Sequence, residues 1–580
     1  MRMKPKPFAS SHPESGSALL MTMIISATAL LILAGALAWC ATNTRLTARS
    51  NQLAQSIAAA EGATEKVLTQ VSRDFQNGGE RMVLNNLAGY PSIVPTAADS
   101  AYWSGWEFSD GNGNVGQTYV ALGGWTNYVV LNSAFAGLKG FITPCTIISN
   151  ARQPNAFQNV IGAVMQQLQL AVIPIFQFAM YTSGDMEISC GQPFTITGRV
   201  HSNGQLYVEP DNAMTFLSSV TAVGSVLFQR SPLDTRGPPA GTVVYAIPPL
   251  SNVQALNLPI GISNSPTAVR EIIEPPPAGE DPNSPMGRLR FYNLADMLVI
   301  VSNTTISASS GLFNGCATTI PTNQWPLFVS TTNSFWDARE SKTVESIDLN
   351  VGNLTAWSLT NNNLRPALGS RDVSSVYVLD RRTLPGTQLG AVRVTNGRQL
   401  PSLGLTVATS SPLYVLGHFN QPSTPNLGTP NTSTTEPASL VGDAITILSV
   451  NWSDSNSTAP VASRGAGPTT VNAAILAGAV DTTQGHYGGG MENFPRFLET
   501  WGSANPFTYN GSMVKMFPSL YATNMWGGTN VYAPPQRNWA YDTNFENGAK
   551  LPPLTPGLQT VNRSSWSTLA PNQTATTAGP

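Results

Sequence analysis

The chain has 580 residues, a formal net charge of −2 and only 11% charged residues. That length asks for two or three domains, and the near-neutral, charge-poor composition argues against nucleic acid as a partner, since neutralising phosphates takes a basic surface. With 50 Gly and 44 Pro the chain turns often, which favours short strands over long helices.

The first element in chain order is the longest. Ser15 to Thr44 carries no Asp, Glu, Lys, Arg or His and is mostly Leu, Ile, Met and Ala. A spanning helix needs about 20 apolar residues, so this stretch suffices. From Leu46 the pattern turns amphipathic. Leu46, Leu53, Ile57, Ala60, Leu68, Val71 and Phe75 fall within a stripe about 80° wide, and Gly78-Gly79 closes the helix. One helix over 17–77 would be about 90 Å long. Arg2, Lys4 and Lys6 precede the apolar run, which orients the N-terminus inward and the bulk of the chain outward.

Three processing fates compete. A secretory signal peptide would be cut after Ala36-Leu37-Ala38, but the helical pattern continues through that site. A lipoprotein would be modified at Cys40, but Trp39 stands where a small residue belongs. The third fate is cleavage between Gly16 and Ser17, which leaves the helix on the exported part.

Gly16-Ser17-Ala18-Leu19-Leu20, together with Asn51 to Leu68 (NQLAQSIAAAEGATEKVL), resembles the PilX-type N-terminal segment of type IV pilus assembly proteins. The resemblance implies a pilin-like protein held in the inner membrane, with a basic leader over 1–16. It also implies Gly16 and Ser17 as the pair cut by a prepilin peptidase, and other pilin-like subunits as partners. Met21 departs from the glutamate that major pilins carry at the fifth mature position. Burying an N-terminal amine without that partner is costly, so Met21 points to a minor or assembly subunit rather than a shaft subunit. Ile173-Pro-Ile-Phe-Gln-Phe-Ala with Gly184-Asp-Met-Glu-Ile, Ile196-Thr-Gly-Arg-Val-His-Ser-Asn-Gly, Glu274-Pro-Pro-Pro and Asn538-Trp-Ala-Tyr-Asp resemble the large exported domains attached to such N-termini. No activity comes with that likeness.

Beyond the helix the fold class reads as α+β, mainly β. Two β-rich lobes are expected, over 78–275 and 276–563, with a tail over 564–580 that has little to bury. Tyr119-Val-Ala-Leu, Tyr128-Val-Val-Leu and Thr146-Ile-Ile-Ser read as strands. Asp110-Gly-Asn-Gly-Asn114 opens like a calcium loop, but Val115 and Ala121 stand where Gly and Glu belong, so a turn is the reading. Phe157, Val160, Ile161, Val164, Leu168 and Val172 recur at helical spacing and predict a core helix over 155–173, ended by Pro174.

Cys145 and Cys190 flank that helix and are the candidate disulfide; small buried thiols are the other reading. From Met186 to Arg230 short alternating runs separated by Gly198, Gly204 and Gly224 fit either a β-solenoid or a sandwich. His201 reads as a turn residue. Arg270 to Met286 (REIIEPPPAGEDPNSPM) reads as a solvated linker, with Glu271, Glu274, Glu280 and Asp281 flanking its prolines.

Further strands begin at Asp296, Ser375, Leu413 and Ala444, and Met491 to Trp501 reads as a short helix. The stretch from Tyr487 to Pro556 is dense in aromatics. It is either the core of a lobe or, through Trp526 and Trp539, a stacking platform for an extracellular glycan or matrix. No nucleophile-elbow, P-loop or dinucleotide fingerprint is present, and the four histidines are isolated from one another. The chain therefore reads as a structural or interaction protein, not an enzyme, with no cofactor and no metal. The alternative is a surface adhesin or glycan-binding module on a plain signal anchor.

Overall fold

The computed structural model describes residues 17–572 except 125, 132–134, 157–158, 315–317 and 528–530. Residues 1–16, read above as a leader and including Gly16, lie outside the described residues, as do Cys316 and the end of the chain from 573. The N-terminal helix spans Ser17–Asn86. Gly79 breaks it as expected, at φ 66° and ψ −162°, a conformation that a glycine takes without strain. One further stretch of helix follows the break. Residues 17–51 are exposed throughout, a length of about 50 Å. This part is long and apolar enough to cross a membrane.

From Gln52 on, one face is buried: Ser56, Ala59, Ala60, Ala63, Val67, Val71 and Phe75. That face overlaps the expected stripe at Ala60, Val71 and Phe75 and is rotated toward the small residues beside it, so that Leu46 and Leu53 stay exposed. Small residues line the contact because the helix lies very close to a sheet. A Cβ on Gly162 would come within 2.4 Å of Ile57 N and 2.5 Å of Ser56 C.

That sheet is antiparallel, in the order Glu107–Ser109, Lys139–Arg152, Gly162–Pro174, Gly557–Leu569. Two departures from expectation meet in it. The segment read as a helix over 155–173 is instead the strand Gly162–Pro174. Its apolar positions 164, 168 and 172 are four apart, a spacing that serves one side of a strand as well as one face of a helix. Val and Ile favour the strand, and Leu170, between them, is also buried. The segment read as an unstructured tail begins inside the strand Gly557–Leu569, where Leu569 pairs with Ala163 and Ser565 Oγ bonds Gln167 Oε1 at 2.9 Å. An edge strand offers unpaired backbone groups, so a polar segment is held there without much to bury.

The body is a parallel β-solenoid, which resolves the choice between solenoid and sandwich for residues 186–230. Met180 pairs with Val200 and Val200 with Val220, Met186 pairs with Leu206 and Leu206 with Val226, and Phe194 pairs with Met214. Each step is 20 residues. The turns stack as well: Gly224 N donates to Gly204 O at 2.9 Å, and Gly204 N to Gly184 O at 3.1 Å.

The same stack runs on through the second half of the chain. Met297–Val301, Ser375–Asp380, Leu405–Ala408, Ala438–Gly442, Thr469–Ala479 and Phe507–Pro518 are parallel neighbours. A second face runs through Lys342–Asn350, Gln388–Thr395, Leu413–Leu416, Ile445–Leu448 and Pro495–Phe497. The two stacks meet where Met513 pairs with Met180. The chain thus enters the solenoid in the middle, climbs to one end, crosses to the other along residues 251–296, and climbs back to the junction. The boundary expected at 275/276 is not a boundary, because one sheet contains strands from both sides of it.

Both faces of this sheet are covered, as parallel sheets require. Val299, Val376, Val407, Leu440, Ile475 and Met513 face the solenoid interior. Leu298, Tyr377, Ala408, Val441, Leu476 and Val514 face a second core closed by Leu256, Val269, Ile273 and Phe291 of the crossing segment. The expected solvated linker belongs to that cover. Its acids are partners of buried arginines: Arg290 bonds Glu280 at 2.6 Å and Glu271 at 2.8 Å, and Arg270 bonds Glu274 at 2.9 Å. His201, read as a turn residue, sits in this layer fully buried and stacked on Tyr181, with Thr221 Oγ1 at 2.8 Å and Asn203 Oδ1 at 2.9 Å. The short helix expected at Met491 is a single 3-10 turn followed by the strand Pro495–Phe497.

Candidate functional site

A cleft of about 300 Å³ opens at the junction of the two stacks. The turn Thr182 to Glu187 forms one wall, Ala479 to Thr482 and Lys515 to Pro518 the next, and Gly490 to Phe494 with Arg496 and Arg339 the floor. These pieces are brought together only because residues 180–188 stack on a rung from the far end of the chain. Arg339 reaches the floor from the tight turn between Val329–Asp337 and Lys342–Asn350. Its backbone N donates to Asp337 Oδ1 at 2.7 Å, and Asn524 Nδ2 donates to its carbonyl at 2.9 Å.

Behind the Glu187 wall lies a buried polar network. Thr482 Oγ1 donates to Glu187 Oε2 at 2.5 Å, and burial pushes the Glu187 carboxyl above its usual range. Glu209 is fully buried. Its carboxyl is pushed up to about 8, first by burial and then by the neighbouring Glu187 charge, against the pull of Arg230 and Arg236. Arg230 Nη1 is 3.2 Å from Glu209 Oε2 and Arg236 Nη2 is 3.6 Å away. Both arginines also donate to Ser189 Oγ, at 2.9 and 3.1 Å. Tyr487 OH donates to Glu492 Oε1 at 2.6 Å, Ser189 N donates to Glu492 Oε2 at 3.0 Å, and the Arg236 guanidinium lies 3.6 Å above the Tyr487 ring. With two carboxyls close together and one held protonated, the network can keep a proton beside the cleft wall. Among the described residues no group of three or more His, Cys, Asp or Glu converges to hold a metal ion.

The residues singled out from the sequence lie elsewhere. Ser17 is the first described residue and opens the exposed helix. Cys145 and Cys190 are free, and they are not brought together: Cys145 lies among Val71, Phe75 and Leu168 under the helix, and Cys190 lies in the solenoid interior. Burial pushes both thiols up to about 12. Trp526 and Trp539 are half-buried. Both pack against the solenoid core. Trp526 Nε1 donates to Tyr532 OH at 2.9 Å, and Trp539 meets the edges of Phe194, Phe507 and Tyr509. The Asp110 loop is a closed turn, its carboxylate taking Asn112 N at 2.8 Å and Asn114 Nδ2 at 2.8 Å.

Sequence reading missed Arg339, Arg496, Glu209 and Glu492, which come from distant segments without a shared motif. The one available signal was the Gly184-Asp-Met-Glu-Ile stretch, whose Asp185 and Glu187 both line the cleft.

No protein-family model matches the chain, and no curated protein matches it. Among solved structures it is similar to the competence-associated pilin ComZ from Thermus thermophilus, at 10% identity over 87% of this chain and 97% of that one. The TM-score is 0.31, too low for the likeness to bear on fold or function.

Proposed function

We propose that the protein is a type IV pilin-like subunit of the minor or assembly kind, with a PilX-type N-terminal segment. The leader is cut between Gly16 and Ser17 by a prepilin peptidase. The apolar half of the helix then anchors the chain in the inner membrane and docks with other pilin-like subunits, and the solenoid is presented outside as a binding surface with no chemistry of its own. The observation that carries this reading is the division of the Ser17–Asn86 helix. Its first half is apolar and exposed over its full length, while its second half is packed on the antiparallel sheet as part of the body. A helix built in this way transmits a rigid attachment rather than a flexible tether. A plain signal anchor needs no such continuity.

N-terminal sequencing with mass spectrometry of the chain purified from membranes tests the proposal. We expect a start at Ser17 with a methylated amine. An intact Met1, or a start at Trp39, refutes it.

A further inference from the structure

The floor of the junction cleft holds a guanidinium with no carboxylate paired directly to it among the described residues. Arg339 is 7% exposed, and what it exposes lines the cleft. Its Nε donates to Asn524 O at 3.2 Å. Its Nη1 and Nη2 have no hydrogen-bond partner among the described residues, and no carboxylate there lies within ion-pair distance of it. The neighbouring Arg496 differs. It is paired with Glu340 at 2.6 Å and bonded to Ala522 O. Burial, and then the Arg496 charge, lower Arg339 to about 9, against the pull of the nearby Glu340 and Asp337 carboxylates. A buried guanidinium with two free N–H edges fits a carboxylate in the bidentate manner.

The rest of the lining has another character. Thr182, Ser183, Ser231 and Thr482 bring hydroxyls, and Asp185, Glu187 and Asp481 bring carboxyl groups. A compact dianion would meet those acids on every side. An ammonium group finds little to pair with: burial favours the neutral form of Glu187, Asp481 is already paired with Lys515 at 2.6 Å, and Asp185 Oδ1 already accepts from Gln205 N at 2.7 Å. Sugar hydroxyls satisfy such groups in either state, donating to a carboxylate and accepting from a carboxylic acid. About 300 Å³ lies at the small end of ligand pockets, the size of one ring rather than a chain.

We propose that the junction cleft binds an acidic sugar, a ring with one carboxylate seated on Arg339 and its hydroxyls on the Thr182–Glu187 and Thr482 walls. The proposal is independent of how the N-terminus is processed. It can fail with the membrane-anchor reading intact, and the reverse.

Isothermal titration calorimetry on the full chain in detergent micelles tests it, with glucuronate, glucose, inorganic phosphate and glycine as separate titrants. We expect glucuronate to bind with a Kd of about 1 mM, and the other three at least about tenfold more weakly, since each lacks the carboxylate or the hydroxyls. Arg339→Gln should remove glucuronate binding. Asp481→Asn on the rim frees Lys515, now paired at 2.6 Å, and should tighten glucuronate severalfold. Glucose binding equally well overturns the role of Arg339. Phosphate binding equally well makes the cleft a plain anion site, and glycine binding equally well makes it a zwitterion site; either overturns the proposal. Should Arg339→Gln fail to fold, Asp481→Asn decides by itself: unchanged or weaker glucuronate binding overturns the proposal.

Discussion

Replacing Asp443 with asparagine should cost about 3–5 kcal/mol of stability, the range for removing one partner of a buried ion pair. Asp443 is fully buried and Arg270 is 4% exposed. Their ion pair, 2.7 Å long, ties the crossing segment to the sheet. The same carboxylate holds the loop after Phe507–Pro518. Oδ1 accepts from Leu520 N at 2.7 Å, and Oδ2 accepts from Tyr521 N and Ala522 N at 3.0 Å and from Ser519 Oγ. Whichever way an asparagine amide turns, its NH2 faces at least two donors, each costing about 1–3 kcal/mol when buried unpaired. Glu274 and Ser410 O still hold Arg270, which keeps the total within the stated range rather than above it.

Urea unfolding of the full chain in detergent, followed by tryptophan fluorescence, reads the loss as a lower midpoint at unchanged m-value. The double variant with Arg270→Met isolates the pair. We expect a coupling of about 2 kcal/mol or more, because the methionine leaves no stranded charge. A loss below about 1 kcal/mol, or equal losses in both backgrounds, would refute the reasoning.

The other expectations are quicker to check. Gly162→Val places a Cβ 2.4 Å from Ile57 N. Backbone cannot turn aside, so the variant should lose about 2–3 kcal/mol and expose the helix to proteolysis near Lys66 and Arg73; wild-type protease resistance would contradict the close approach. Burial lowers His201 to about 4 from 6.5. The unfolded state therefore takes up the extra proton, so the stability is fully present above about pH 6.5 and about 3 kcal/mol of it is lost as pH falls toward 4. Urea midpoints across that window should fall in the wild type and stay flatter in His201→Gln; parallel curves would rule His201 out. Cys145 and Cys190 should resist alkylation in the native chain and react on unfolding, and a peptide linking them in a non-reduced digest would show the free-thiol arrangement to be wrong.

The amino-acid sequence by itself determined the helix and the strand-rich character of the chain beyond it. Both are local properties: an uncharged run of sufficient length, an amphipathic continuation, a glycine pair where the axis breaks, and β-branched runs between turns. It fell short where one pattern served two structures. Val164, Leu168 and Val172 satisfy both a helix and a strand, and only the long pairing with Lys139–Arg152 selects the strand. The solenoid period is half visible in the sequence. Gly204 and Gly224 punctuate the alternating runs, but Gly184, the third member of their stack, lies in the stretch before those runs begin.

Tertiary structure alone decided the junction. Met180 meets Met513 because each rung presents unpaired backbone groups that another rung must cover, and nothing in either local sequence names its partner. From that meeting comes the cleft, whose walls belong to segments far apart in the chain. The lack of a directly paired carboxylate at Arg339 has the same origin: whether an arginine is paired depends on which carboxylates the stacking brings within reach.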